Sequence, residues 1–160
     1  MLIPIVNEKD KIICYKDRDS IGQKDIYRVS ALWIINSKSE FLLAKRVKTK
    51  KNNPGKWGPA VAGTVEKGET YKQNILKETK EELGLDPKGL RQGPKIKNTG
   101  EHNFFCQWYF LKQDKDEKEF DFDKKEVDEV KWFSKKEFEK EYLKNPELFL
   151  KNAPFWVNTF

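Results

Sequence analysis

Three glutamates, Glu78, Glu81 and Glu82, stand within little more than one turn of a predicted helix. At about 100° of rotation per residue, their side chains fall within an arc of about 100° on one side of that helix. Exposed like charges at this spacing cost roughly a few tenths of a kcal/mol per pair, and more beside a core. A hard divalent ion such as Mg²⁺ would relieve the repulsion, because it prefers oxygen ligands and often bridges carboxylates to substrate phosphates. The alternative is a solvated face on which Lys77 and Lys80 screen the glutamates.

The helix that must carry these glutamates is predicted over residues 70–83. Thr70 can act as its N-cap with Gln73 three residues later, the pattern of a capping box, and Gly84 suits a C-terminal stop. Its spacing also predicts an apolar stripe toward the core, with the carboxylates along one edge. That stripe comprises Tyr71, Ile75, Leu76, Thr79 and Leu83.

The remaining pattern predicts a mixed sheet with helices, of the α/β or α+β class. Strands are predicted at 26–35 (IYRVSALWII), 41–46 (FLLAKR), 103–112 (NFFCQWYFLK) and 126–134 (EVDEVKWFS), the first two as a β-hairpin. A second amphipathic helix is predicted at 134–145, with Ser134 as N-cap and Phe138, Tyr142 and Leu143 on one side. The charged run 114–126 is predicted to be a solvated loop.

Composition predicts one soluble domain that spans residues 1–160. The hydrophobic share is 37% and the charged share 36%, with enough bulky aromatic residues for a real core. No apolar run approaches the length of a membrane span and the first residues lack a signal-peptide layout, so we expect no membrane partner and a cytoplasmic location. Cys14 and Cys106 are isolated, and the single histidine, His102, argues against zinc or Ser/Cys–His chemistry.

Positive charge is concentrated in the first part of the chain. Residues 1–100 carry 21 Lys+Arg against 12 Asp+Glu, whereas residues 101–160 carry 11 against 14. A basic region of this kind favours an anionic partner, either a phosphorylated small molecule or a nucleic acid. The alternative is a compositional preference, because lysines outnumber arginines 28 to 4.

The segment 63–85 resembles the Nudix box, Gly-x5-Glu-x7-Arg-Glu-U-x-Glu-Glu-x-Gly-U, in which U is a bulky aliphatic residue. The spacing agrees throughout, and two positions depart from the pattern: Lys77 replaces the arginine and Thr79 replaces an aliphatic residue. The resemblance to the Nudix hydrolase superfamily implies an α/β/α sandwich with a mixed β-sheet. Positions that agree in type are Gly63, Glu69, Glu78, Glu81, Glu82, Gly84 and Leu85.

The resemblance also implies Mg²⁺-dependent hydrolysis of a diphosphate linkage, with Mn²⁺ as a substitute ion. Glu78 and Glu82 would hold the ion, Glu81 would share it or act as the base, and the Gly63 carbonyl would be a further ligand. Glu69 would brace the loop through Lys77. Glu101 and Glu126 are alternative bases outside the box. Arg46 and Trp57 are the candidates for substrate contact, with aromatic core packing as the alternative for Trp57.

Two other functions stay open on the sequence alone. The stretch NPGKWGPAVAG (53–63) is similar to the isopentenyl-diphosphate-isomerase-like branch of the superfamily. That isomerase needs a cysteine where Ala62 stands and a Glu-x-Glu pair that this chain lacks after Glu101. The second alternative is a degenerate Nudix fold that binds RNA, although no RNA-binding motif supports it.

Among substrates, family breadth favours a nucleoside diphosphate linked to another group, or a related organic diphosphate. It also allows a homodimer.

Overall fold

The computed structural model describes residues 1–160 and contains nine strands, three α-helices and three short 3₁₀ segments. The strands are β1 (Leu2–Val6), β2 (Ile12–Asp17), β3 (Ile26–Ile35), β4 (Phe41–Arg46), β5 (Trp57–Pro59), β6 (Val61–Thr64), β7 (Arg91–Asn98), β8 (Asn103–Lys112) and β9 (Val127–Phe133). The α-helices are α1 (Tyr71–Leu83), α2 (Lys135–Lys144) and α3 (Ala153–Thr159). The 3₁₀ segments are Arg18–Ser20, Glu117–Glu119 and Pro146–Leu148.

The sheet is mixed and is centred on β3. Along its whole length β3 runs parallel to β8, and on its other side it pairs antiparallel with β6. β7 extends the sheet beyond β8, and the hairpin of β1 and β2 joins β3 through the pair Val6↔Ile26. β4 lies between β5 and β9 and pairs with β3 only at Ile35↔Phe41. The predicted β3–β4 hairpin is therefore paired only next to its turn. Beyond the turn the two strands separate, and each pairs with other strands.

Alternating residues of β3 build two cores, one on each face of the sheet. Leu32 and Ile34 belong to the core that α1 covers, whereas Ala31 and Trp33 belong to the core that α2 and α3 cover. The second core is rich in aromatic rings, among them Trp108, Phe133, Phe138 and Trp156. Helices on both faces of a mixed sheet confirm the predicted α/β/α sandwich. None of the helices has the length and apolar character needed to cross a bilayer.

Two predictions about the charged second half of the chain are wrong. Leu143 was expected on the same side of α2 as Phe138 and Tyr142, but Leu143 is 84% exposed whereas Phe138 is buried. Residues five apart on a helix point about 140° away from each other, so a helix that buries Phe138 turns Leu143 outward. The run 114–126 is not wholly solvated either. Its Phe120 is buried and packs against Trp132, with ring centroids 6.3 Å apart.

Candidate active site

Helix α1 is fixed at both ends by the residues that its sequence predicts. Thr70 Oγ1 accepts a hydrogen bond from the Gln73 backbone N–H (3.1 Å), and Gln73 Oε1 accepts one from the Thr70 N–H (2.8 Å). Gly84 ends the helix with φ at +58°, in the left-handed region that favours glycine. Ile75 and Leu83 are fully buried beneath the helix. Together these contacts fix the rotation of α1 and therefore the direction in which its glutamates point.

Strand β6 approaches α1 very closely at Gly63. A Cβ atom at this position would lie 2.4 Å from Glu78 Cγ and 2.9 Å from Asn74 Oδ1, so any other residue would force the strand or these side chains to shift. Only glycine lets the β6 backbone come this near to the helix. The backbone of Gly63 and the side chain of Glu78 are therefore neighbours, as the sequence resemblance implies.

Lys77 ties the loop before α1 to the helix. Its Nζ lies 2.7 Å from Glu69 Oε1, 3.2 Å from Glu66 Oε1 and 3.7 Å from Glu78 Oε1. Burial alone would lower the pKa of Lys77, but these carboxylates outweigh burial and raise the pKa above its ordinary value. Glu69 also accepts hydrogen bonds from the Asn74 side chain (2.9 Å) and the Glu66 backbone N–H (3.0 Å). The predicted brace between Glu69 and Lys77 is thus present as an ion pair.

Asn74 is a site residue that the sequence analysis missed. Its side chain is fully buried. Its Nδ2 donates to the Thr64 carbonyl (3.1 Å) and to Glu69, and its Oδ1 accepts from the Ser30 hydroxyl. Asn74 therefore joins α1 to β6, β3 and the intervening loop. The only signal for it in the sequence is its place one helical turn before Glu78.

A cavity of about 410 Å³ opens beside α1 and β6, and we name it the carboxylate cavity. The structure brings four predicted metal-site positions and one predicted substrate-contact residue to it: Gly63, Glu78, Glu81, Glu82 and Arg46. Other charged residues that line it are Arg18, Lys50, Glu66, Lys77, Asp123 and Glu126. Glu126, which the sequence suggested as an alternative base, therefore lies at the site, whereas Glu101 does not line it.

Burial makes the glutamates of the carboxylate cavity weaker acids than usual. It raises the pKa of Glu82 to about 8, with Glu78 and Glu126 adding to the shift and Lys50 and Arg46 opposing it. Burial also raises the pKa of Glu78, and repulsion from neighbouring carboxylates adds to that shift against the attraction of a nearby lysine. Ionisation of both groups is therefore unfavourable unless a cation lies among them.

The residues of the carboxylate cavity fit a hard divalent ion. Carboxylate and carbonyl oxygens are the ligands that Mg²⁺ and Mn²⁺ prefer, and a positive charge would offset the repulsion between Glu78 and Glu82. No three acidic, histidine or cysteine side chains are drawn together into a coordination geometry. Mg²⁺ usually keeps several waters and takes only one or two carboxylates from the protein. A site with only one or two carboxylate ligands therefore needs no cluster of three acidic side chains.

Trp57, predicted as a substrate contact, lies in the aromatic core instead. Its side chain is buried, its ring packs edge-on against Phe133 with centroids 5.4 Å apart, and it does not line the carboxylate cavity. Pairing of β5 with β4 at Lys45↔Trp57 directs the ring into the core beneath α2 and α3. The structure thus agrees with core packing, the alternative for this residue.

Sequence comparison relates the chain to one family. The model of the NUDIX domain matches residues 25–152. An uncharacterised Nudix hydrolase of Listeria monocytogenes is 31% identical over 123 residues, which cover 76% of this chain and 71% of that protein. A shorter stretch of 54 residues is 35% identical to the isopentenyl-diphosphate Delta-isomerase of Klebsiella pneumoniae, covering 34% of this chain and 29% of that enzyme.

Structural comparison extends the similarity to nearly the whole chain. A Deinococcus radiodurans protein superposes with a TM-score of 0.82 over 99% of this chain and 98% of its own, at 20% identity. The NUDIX domain of Shewanella oneidensis NrtR, solved in complex with ADP ribose, superposes with a TM-score of 0.63 at 14% identity. That match covers 89% of this chain and 90% of the other. At these identities the structural matches establish the shared fold.

Proposed function

This chain belongs to the NUDIX domain family of hydrolases, and from that premise we propose that it hydrolyses a diphosphate linkage with Mg²⁺ or Mn²⁺ as cofactor. The observation that carries the proposal is the position of Glu78, Glu81, Glu82 and Gly63 around one cavity. Cleavage of a diphosphate requires stabilisation of charge on the phosphoryl oxygens and an in-line water. Carboxylates that favour a cation, next to arginine and lysine side chains, support that chemistry.

Each residue of the carboxylate cavity has a proposed role. Glu78 and Glu82, with the Gly63 carbonyl, would hold the metal ion. Bound there, the ion would neutralise phosphoryl charge and lower the pKa of a water. Glu81, which is exposed where it lines the cavity, would accept the proton of the attacking water or share the ion. Glu126 is the alternative base, but its ion pair with Lys50 favours Glu81 for that role.

The proposed substrate is a nucleoside diphosphate linked to another group, or a related organic diphosphate. Arg46 would contact a substrate phosphate: it lines the carboxylate cavity and its Nε is held by the Asn52 carbonyl at 3.0 Å. The ADP-ribose complex of the NrtR domain supports this class, because that domain has the same fold and holds a nucleoside diphosphate joined to a sugar. Nucleic acid is not favoured as a partner.

The isomerase similarity is the observation that favours a second candidate function. Allylic isomerisation needs a proton donor and an acceptor on opposite faces of the substrate. Ala62 stands where that enzyme needs its cysteine, and β8 follows Glu101 without an acid pair. Cys106, on β8, is buried, and burial raises its pKa to about 12, so it does not supply the missing group. Hydrolysis therefore accounts better for the residues present.

Three further parts of the proposal concern the protein as a whole. Residues 1–24 precede the matched range, yet they supply β1 and β2, which pair into the sheet at Val6↔Ile26. This pairing supports one domain over residues 1–160. A cytoplasmic location and a homodimer stay predictions from the sequence.

Phosphorus NMR is the direct test. The protein is incubated with Mg²⁺ and a panel of nucleoside diphosphate sugars, dinucleotides and prenyl diphosphates, with Glu81→Gln protein and excess EDTA as controls. We expect new phosphomonoester signals from at least one panel member, lost in both controls. Unchanged phosphorus spectra together with altered proton spectra of the prenyl samples would instead support isomerisation. Salt-sensitive RNA binding without turnover would support the binding module.

A further inference from the structure

A second cavity, of about 400 Å³, adjoins the carboxylate cavity beside the N-terminal hairpin, and we name it the basic chamber. Arg18, Arg46, Lys50 and Thr64 line both cavities, so the two form one continuous groove. Lys51 adds a fourth cation to the basic chamber, whereas Asp19 is the only carboxylate that lines it. The groove thus changes from acidic to basic along its length.

The cations of the basic chamber are largely unpaired. Lys50 has an ion pair with Glu126, but Arg18, Arg46 and Lys51 form none with any carboxylate. Burial lowers the pKa of Arg46; attraction to Glu82 and Glu126 opposes that shift, and repulsion from Arg18 adds to it. Four cations against the single carboxylate of Asp19 give the chamber an excess of positive charge, which favours an anionic ligand, as the glutamates beside them favour a cation.

The rest of the chamber wall suits a polar ligand. Asn52, His102 and Thr64 offer hydrogen-bonding groups, and the apolar surface is limited to Ile21 and the ring of Tyr27. Phe104 packs behind that ring, with centroids 5.5 Å apart. A long hydrocarbon tail needs a continuous apolar lining, and one aromatic ring among cations and amides does not provide it. The wall therefore favours a charged or sugar-like group over a prenyl group.

We propose that the basic chamber binds a second anionic group of the substrate, a phosphate or carboxylate located beyond the linkage that is cleaved. Arg18 and Lys51 select for that group, since they line the basic chamber and have no carboxylate partner. The proposal rests on the proposed hydrolysis for the identity of the reaction, but not for the binding itself. Arg18 follows β2 and precedes the matched range 25–152, so this selectivity comes from a segment outside the family pattern.

Calorimetry with inorganic tripolyphosphate in metal-free buffer tests the anion site without turnover. We expect the wild-type protein to bind this probe, and Arg18→Gln and Lys51→Gln each to weaken binding roughly fivefold, as for a partly exposed charge-assisted contact. Lys24→Gln is the matched control, because Lys24 is exposed and lines neither cavity. The proposal fails if the wild-type protein does not bind, or if Lys24→Gln weakens binding as much as Arg18→Gln.

A matched substrate pair tests the selectivity. UDP-glucose and UDP-glucuronate share one diphosphate linkage and differ by a carboxylate on the distal sugar. We expect a higher kcat/KM for UDP-glucuronate, and Arg18→Gln should remove that preference mainly through KM. Hydrolysis of both at equal rates, unaffected by Arg18→Gln, would overturn the selectivity while the hydrolase proposal stands. If neither compound is hydrolysed, the calorimetric result decides the anion site independently of the proposed reaction.

Discussion

Lys77 Nζ lies 2.7 Å from Glu69 Oε1, and this ion pair joins the loop that follows β6 to the middle of α1. A lysine stands here in place of the arginine of the Nudix pattern. Its compact ammonium is within ion-pair distance of Glu66 and Glu78 as well, so a single charge serves three carboxylates. The departure from the pattern therefore keeps the brace but changes its geometry.

Removal of that ammonium should loosen the loop. We expect Lys77→Met to lower the free energy of unfolding by about 1–2 kcal/mol, because Glu69 and Glu66 lose their counter-charge in a partly buried setting. Lys77→Arg should retain most of the stability. Urea denaturation measures both, with Lys72→Met as control, since Lys72 is exposed on the same helix without an ion pair. Equal losses for the Lys72 and Lys77 variants would contradict the brace.

The close approach at Gly63 predicts a sharp response to one methyl group. Gly63→Ala places a Cβ 2.4 Å from Glu78 Cγ, so the strand or the glutamate must move. We expect a loss of about 1–3 kcal/mol in unfolding free energy and at least a roughly tenfold fall in Mg²⁺-dependent turnover. The matched control is Gly22→Ala, where a Cβ meets Asp25 at an ordinary 3.5 Å. Full activity in Gly63→Ala would show that Glu78 can move without consequence.

The sequence predicted the strands and helices with the clearest hydrophobic and capping patterns. It also predicted which residues of the Nudix box, carried by α1 and β6, lie together. Strands β3 and β8 are long and apolar because they are buried on both faces, and α1 has a capping box and a left-handed glycine stop. β2 and β7 escaped prediction because they are mostly exposed strands with no buried residue to give an alternation. The alternation of apolar and polar residues that reveals a half-buried strand is absent from such strands.

Several residues of the site escaped prediction from the sequence for a different reason, namely that they reach the site through contacts between distant segments. Arg18 and Asp123 reach the carboxylate cavity from segments far from the box, and neither carries a local motif. Asn74 is polar at a position that the helix pattern cannot tell from a surface residue. Trp57 shows the opposite error, since the sequence placed it at the site and the structure places it in the core. An aromatic residue beside a glycine-rich loop is compatible with either position until the strand pairing is known.

The repulsion within the carboxylate cavity predicts opposite effects of one substitution with and without metal. We expect Glu82→Gln to raise the unfolding free energy of the metal-free protein by about 1–3 kcal/mol, because it removes a carboxyl group that ionises freely in the unfolded chain but is hindered from ionising by burial and by Glu78 in the folded one. The same change should abolish most of the rise in Tm that excess Mg²⁺ gives the wild-type protein. Thermal denaturation with Mg²⁺ and with EDTA measures both effects, and the exposed Glu139 provides a Glu→Gln control on α2. An unchanged Mg²⁺ response in Glu82→Gln would remove this residue from the metal site.

Asp10 connects the N-terminal hairpin to three other elements. Its Oδ1 accepts from Arg28 Nε at 2.7 Å, and its Oδ2 accepts from Lys95 Nζ at 2.6 Å and from the Tyr71 hydroxyl at 3.1 Å. Burial alone would raise the pKa of Asp10, but the hydrogen bonds from Lys95 and Arg28 outweigh it and hold the pKa below its ordinary value of 3.8. One carboxylate thus holds the start of α1 against β3 and β7.

The lowered pKa of Asp10 predicts how its contribution depends on pH. Because the folded-state pKa lies below the unfolded value, the stabilisation is present above about pH 4 and is lost as the pH falls through the folded-state pKa. We expect Asp10→Asn to lower the unfolding free energy by about 2–3 kcal/mol at neutral pH, with the gap to wild type narrowing as the pH falls below about 4. Urea denaturation across this range measures the gap, with Asp128→Asn as the exposed, unpaired control. A gap that stays constant with pH would mean that the asparagine acts through packing, not through the lost charge.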